Sequence, residues 1–159
     1  MFGLFSNKSK SLDKICNPIK GKCIALEEVE DEVFSAGMMG KGVAVIPYEG
    51  KVFSPFDGEI TMTFPTGHAI GMVSASGVEL LIHVGIDTVK MNGAGFNLKV
   101  VPEQKVKCGD LLMEFDINAI KNAGHPITSP IIITNSDEYA EITPVSKGEK
   151  EAGEVIITL

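Results

Sequence analysis

Apolar residues in this chain fall in short runs of strand length, at 23–26, 43–46, 51–53, 59–64, 68–73, 78–83, 96–101, 111–115, 131–134 and 154–159, with turn residues between nearly all of them. The 17 glycines and 8 prolines recur between the runs. This rhythm predicts an all-β fold, an antiparallel sandwich or barrel. A helix is predicted only at 117–123, where Asp116 can serve as N-cap and Gly124 can close the C-terminal turn.

The stretch 66–89 is the one the rest is organised around. Its runs 68–73 and 78–83 flank Ser74, Ala75, Ser76 and Gly77, the composition of a hairpin loop. With all of these residues in the loop, Val73 faces Val78, Ile70 faces Leu81 and His68 faces His83, the opposed Cβ atoms lying about 4.5 to 5.5 Å apart on one face. A slip of one residue would send the two rings to opposite faces. In the second strand Leu80, Ile82, Val84 and Ile86 share one parity and His83, Gly85 and Asp87 the other, so one face is expected to be core and the other to carry chemistry. Thr66 shares the parity of His68. Gly85 has no side chain, so the approach to His83 is expected to be open there to a large partner.

At 159 residues the chain is expected to be one domain, a flexible segment at 1–19 followed by a folded unit at 20–159. Residues 1–14 mix apolar residues with lysines and are read as a disordered tail in preference to a weak amphipathic anchor. No run approaches the roughly 20 apolar residues of a membrane span, and Asn7 and Lys8 end the first apolar stretch too early for a signal peptide. Cys16, Cys23 and Cys108 are odd in number and lack a C-x-x-C pair, which suits reduced thiols in a cytoplasmic protein.

The net charge of −7 argues against nucleic acid and for a basic protein surface as partner. All 14 cationic residues are lysines. With no guanidinium fork, a phosphoryl group would have to be held by histidine, hydroxyl, lysine or backbone N–H. The segment GMMGKG at 37–42 lacks the spacing and the Ser or Thr of a phosphate loop and reads as a turn before a strand. Around Val106, Gly109, Asp110 and Leu111 the strand, turn and strand are like those of biotinyl and lipoyl domains, without their lysine motif at Val89, Lys90 and Met91. His125, beside Pro126, reads as a surface or capping residue.

The run LIHVGIDTV, with TGHA upstream and VFSPFDGEI before that, closely resembles the glucose-type enzyme IIA proteins of the bacterial sugar phosphotransferase system. VEDEVFSAGMMGKGVAVIP, NGAGF, VKCGDLLMEFD and TSPIIITN extend the resemblance to roughly residues 20–159. It implies a cytoplasmic β-sandwich of the barrel-sandwich hybrid type with one or two short helices, a phosphotransferase component that works through a phosphohistidine. His83 matches the acceptor, phosphorylated on Nε2 by the phosphocarrier HPr and discharged to a cysteine of an enzyme IIB domain. His68 matches the second active-site histidine, which supports the transferring group, and Thr66 a threonine of its hydrogen-bond network. The docking surface implied comprises Asp31, Val33, Phe34, Met38, Met39, Phe64, Leu81, Asp87 and Val89, an apolar patch with carboxylates to meet a basic partner.

No cofactor is implied for the reaction. A zinc ion shared by His68 and His83 is implied only in regulatory complexes, in which such proteins control transporters or kinases. Membrane contact would come through the permease, which binds the sugar. The chain departs from the family pattern at Val84, where an aromatic is usual, and at Lys41, where an acidic residue is common.

Three other readings compete. The histidines could be a hydrogen-bonded pair filling a polar gap in a sheet. A zinc peptidase on a related sandwich would use two imidazoles, but its His-x-His is absent. A regulatory binding protein would need no phosphotransfer at all.

Overall fold

The structure, a computed structural model, describes residues 13–159. Its strands are β1 (Lys14–Cys16), β2 (Gly21–Ala25), β3 (Lys41–Pro47), β4 (Lys51–Phe53), β5 (Gly58–Thr63), β6 (Ala69–Ser74), β7 (Glu79–His83), β8 (Phe96–Leu98), β9 (Lys105–Val106), β10 (Leu111–Phe115), β11 (Ser129–Ile133), β12 (Thr143–Pro144), β13 (Gly148–Lys150) and β14 (Val155–Thr158). Two short α-helices accompany them, α1 (Glu32–Ser35) and α2 (Ile117–Asn122). An eight-stranded antiparallel sheet in the order β13-β2-β3-β11-β7-β6-β5-β9 forms one layer, and the three-stranded sheets β1-β14-β12 and β4-β10-β8 pack on it. The all-β sandwich expected from the apolar runs is the architecture observed.

Helix α2 begins where the sequence places it, with the Asp116 carboxylate accepting from Ala119 N–H at 3.1 Å. Helix α1 is not among the elements predicted from the sequence. Asp31 caps it, accepting from Val33 N–H at 2.8 Å, and a four-residue helix is too short to show a period.

The expected boundary at residue 20 shifts toward the N-terminus. Strand β1 pairs with β14, Asp13 and Leu159 exchange backbone hydrogen bonds, and Ile15 and Ile19 are buried in the core, so residues 13–19 belong to the fold. The disordered-tail reading of residues 1–14 therefore fails at Asp13 and Lys14, and its remainder, residues 1–12, lies outside the described residues.

The central strands bury both faces. Val43, Val45, Ile70, Met72, Leu80, Ile82, Ile131 and Ile133 point into the main core with Ile15, Val52, Leu112, Met113 and Ile156 from the smaller sheets. The intervening Ala44, Ala69, Leu81 and Ile132 point the other way, into a second cluster closed by Leu26, Val29, Phe34 and Ile86. Burying each large side chain is worth about 1.5 to 3 kcal/mol. The face expected to carry chemistry is therefore itself built over apolar packing.

The hairpin register differs by one from the expected pairing. Val73 faces Glu79, Gly71 faces Leu81, Ile70 faces Ile82, and Ala69, not His68, faces His83. The cause lies in the loop. Ser74 N–H donates to Val78 O at 2.9 Å, and the Ser74 hydroxyl accepts from Val78 N–H at 3.0 Å, so Ser74 is a paired residue and only Ala75, Ser76 and Gly77 turn. Gly77 at φ +101° supplies the left-handed residue that a three-residue hairpin loop requires.

Candidate functional site

The one-residue slip should have parted the histidines, yet their ring centroids are 4.9 Å apart at an interplanar angle of 79°. His83 ends β7 on the same face as Ala69 and Leu81. His68 precedes β6, in a bend that follows Gly67 at φ +72°, so strand alternation does not govern its direction. Its carbonyl still accepts from Val84 N–H at 2.8 Å, which holds the bend against the end of β7.

Each ring has its own support. Phe34, on α1, lies 5.0 Å from the His83 ring, and Phe64 lies 5.2 Å from the His68 ring. His68 is 3% exposed, and its Nδ1 shares a 2.7 Å hydrogen bond with the Thr66 hydroxyl, which can serve either tautomer. His83 is half-buried, and its Nδ1 donates to the Gly85 carbonyl at 2.8 Å. A carbonyl can only accept, so the proton of the neutral ring sits on Nδ1 and Nε2 keeps its lone pair.

Burial keeps both rings neutral. It lowers His68 from 6.5 to about 4, with the neighbouring His83 adding to the effect. Burial also pulls His83 down, opposed by the Gly85 carbonyl and by the carboxylates of Asp31 and Asp87. The arrangement presents an oriented, uncharged imidazole nucleophile with a second imidazole beside it. Such a pair can hold a charged group as it arrives and leaves.

Gly85 has a different part from the one expected. It is buried at φ +75°, and a Cβ there would meet Thr88 Cγ2 at 2.5 Å and Pro126 O at 3.1 Å. It opens no approach to His83. It supplies the carbonyl that orients the ring. The sequence signal was present in the H-x-G spacing, but a glycine read on strand parity suggests space where the structure has a turn.

Val33, Met38, Met39 and Val89 are exposed at 46%, 73%, 38% and 48%. Asp31 is half-buried and Asp87 exposed, and both carboxylates act on His83. Phe34 and Leu81 are buried and Phe64 is half-buried, and the two phenylalanine rings pack against the imidazoles. Val84 is fully buried in the main core, as its parity required. A groove of about 710 Å³ runs past Cys23, Leu26, Gly37, Lys41 and Lys147 and contains neither histidine.

Zinc takes four ligands in a closed site. Among the described residues no group of three His, Cys, Asp or Glu side chains is placed to hold a metal ion. His68 and His83 alone do not complete such a site. Among the described residues, no helix is long and apolar enough to cross a membrane.

A family profile for the phosphoenolpyruvate-dependent sugar phosphotransferase system, EIIA 1, matches residues 13–139. The chain is 53% identical over 131 residues to the glucosamine-specific EIICBA component of Bacillus subtilis, and 43% identical over 147 residues to the beta-glucoside-specific EIIBCA component of Halalkalibacterium halodurans. These alignments take in 82% and 92% of this chain but only 21% and 23% of the relatives' lengths. The glucose permease IIA of Mycoplasma capricolum superimposes with a TM-score of 0.87 at 39% identity, over 94% of this chain and 96% of the other. On these grounds the chain belongs to the EIIA family of the phosphoenolpyruvate-dependent sugar phosphotransferase system, as a phosphotransferase component.

Proposed function

We propose that His83 Nε2 accepts a phosphoryl group from the phosphocarrier HPr and gives it up to a cysteine of an enzyme IIB domain. In the first step the donor's P–N bond breaks as the Nε2–P bond forms. In the second the cysteine thiolate takes the phosphorus and the P–N bond of His83 breaks. The observation that carries this reading is the Nδ1 hydrogen bond to Gly85, which leaves Nε2 unprotonated on a ring kept neutral by burial.

His68 lies where its imidazole can donate to a phosphoryl oxygen, with Thr66 holding its other nitrogen. Val33, Met38, Met39 and Val89 form the apolar contact, and Asp31 and Asp87 flank it with negative charge suited to a basic partner. The letters B and C in the relatives' names support a IIB domain as acceptor and a permease as the membrane partner. This reading places the chain in the cytoplasm and leaves the choice of sugar to the permease. In a regulatory complex, zinc on His68 and His83 would need its remaining ligands from the regulated partner.

The test is incubation with phosphorylated HPr followed by assay for acid-labile, base-stable phosphate. Stoichiometric label that vanishes in a folded His83→Ala variant is the expected result. Label retained in that variant would move the acceptor elsewhere, and no label in the parent chain would favour a binding protein without phosphotransfer.

A further inference from the structure

The Gly85 carbonyl orients His83, and something must orient Gly85. It sits in a left-handed turn just beyond β7, outside any strand ladder. The two peptide planes that meet at Gly85 nevertheless have all four of their polar groups engaged. In the first plane, the Val84 carbonyl accepts from the Thr88 hydroxyl and the Gly85 N–H donates to the Ser129 hydroxyl at 3.1 Å. In the second, the Gly85 carbonyl accepts from His83 Nδ1 and the Ile86 N–H donates to the Pro126 carbonyl at 3.1 Å.

Ser129 is committed further. Its hydroxyl proton goes to the Ile127 carbonyl at 2.9 Å, so its oxygen is left facing Gly85 as an acceptor. Ser129 and Thr88 are both fully buried, where no water can replace either hydroxyl at no cost. Residues 126–129 thus act as a strap across the turn, and the only side chain in it that reaches the Gly85 peptide is that of Ser129.

We infer that Ser129, seconded by Thr88, is a positioning residue for phosphoryl transfer: it clamps the Gly85 turn so that the carbonyl holds the proton of His83 on Nδ1 and keeps Nε2 free to attack. The inference rests on His83 being the acceptor. A chain of hydrogen bonds runs from Ile127 through Ser129 to the Gly85 turn and so to the ring. Loosening it frees the ring to adopt the other tautomer, in which Nε2 carries the proton and cannot form a bond to phosphorus. The same chain would serve the return step, because the phosphorylated ring keeps its proton on Nδ1 and needs the carbonyl opposite it.

The experiment pairs two readouts on Ser129→Ala and Thr88→Val. Imidazole nitrogen NMR at neutral pH reports the tautomer of His83, and single-turnover transfer from phosphorylated HPr reports its reactivity. In folded Ser129→Ala the Nδ1–H tautomer is expected to lose its dominance and the transfer rate to fall about ten-fold, the worth of roughly one hydrogen bond. Thr88→Val should follow in the same direction. A merely structural role would lower stability and leave the tautomer alone, so a folded Ser129→Ala with the parental tautomer and rate overturns the inference. Should Ser129→Ala not fold, Ser129→Cys, close in size but a poor acceptor, takes its place under the same criteria. The unaltered protein supplies a third check that needs no variant: slow solvent exchange of Gly85 N–H and His83 Nδ1–H is expected, and rapid exchange of either overturns the proposal. A parent chain that takes no phosphoryl group would defeat the carrier reading while leaving the tautomer result to stand or fall by itself.

Discussion

Replacing Gly85 by alanine separates the two accounts of this residue. If it merely left room for a partner, alanine would be harmless to the fold, and even leucine would act only by covering His83. The structure predicts otherwise. An L-residue at φ +75° costs about 1 to 2 kcal/mol, and a Cβ 2.5 Å from Thr88 Cγ2 and 3.1 Å from Pro126 O forces overpacking of about 1 to 3 kcal/mol more. The sum, about 2 to 5 kcal/mol, corresponds to a fall in Tm of roughly 5 to 15 °C for a chain of this size. Gly77→Ala is the matched control. It has the same sign of φ, at +101°, with nothing within 4 Å of the added carbon, so it carries backbone strain of about 1 kcal/mol and no clash. Thermal melts and urea titrations of both variants give the comparison. A Gly85→Ala variant that melts with the parent, or no lower than Gly77→Ala, would refute the argument that Gly85 is a packed turn.

His68→Gln keeps a hydrogen-bond donor but cannot take up a proton. It is expected to accept a phosphoryl group on His83 at near the parental rate and to pass it poorly to the IIB cysteine; paired single-turnover rates that both match the parent, or both vanish in a folded variant, would exclude separate demands on the two steps. Burial of His68 also makes stability depend on pH. Its value is lowered from 6.5 to about 4, so below pH 6.5 the unfolded chain takes up a proton that the folded chain refuses. The stabilisation is complete above pH 6.5 and is lost toward pH 4 at about 1.4 kcal/mol per pH unit; urea titrations across that window should show the slope reduced in His68→Gln. Val33→Asp and Met38→Asp, on exposed docking residues, are expected to weaken HPr binding at least ten-fold with Tm unchanged, as calorimetric titration and thermal melts would show.

The residues alone determined most of the strands, the helix after Asp116, the pairing of the two hairpin runs and the presence of two histidines at its open end. Each of these depends on signals within a few positions: alternation of apolar residues, a capping carboxylate, glycine in a loop. The H-x-G spacing was equally plain. What the strand pattern could not supply was the register, because the role of Ser74 depends on whether its hydroxyl and N–H bond to Val78, and a loop residue and a paired residue look alike in sequence. With that register the histidines would have been parted. They meet because His68 stands in a bend before β6, a tertiary position held by its carbonyl on Val84 and by Thr66 on its ring. The burial of β1, the second apolar cluster under the site and the grip of Ser129 on Gly85, 44 residues away in sequence, were also decided in three dimensions. Short-range patterns record what a residue can do. Which partner it meets, and from which side, is settled only when distant segments pack and every buried polar group must find a hydrogen bond.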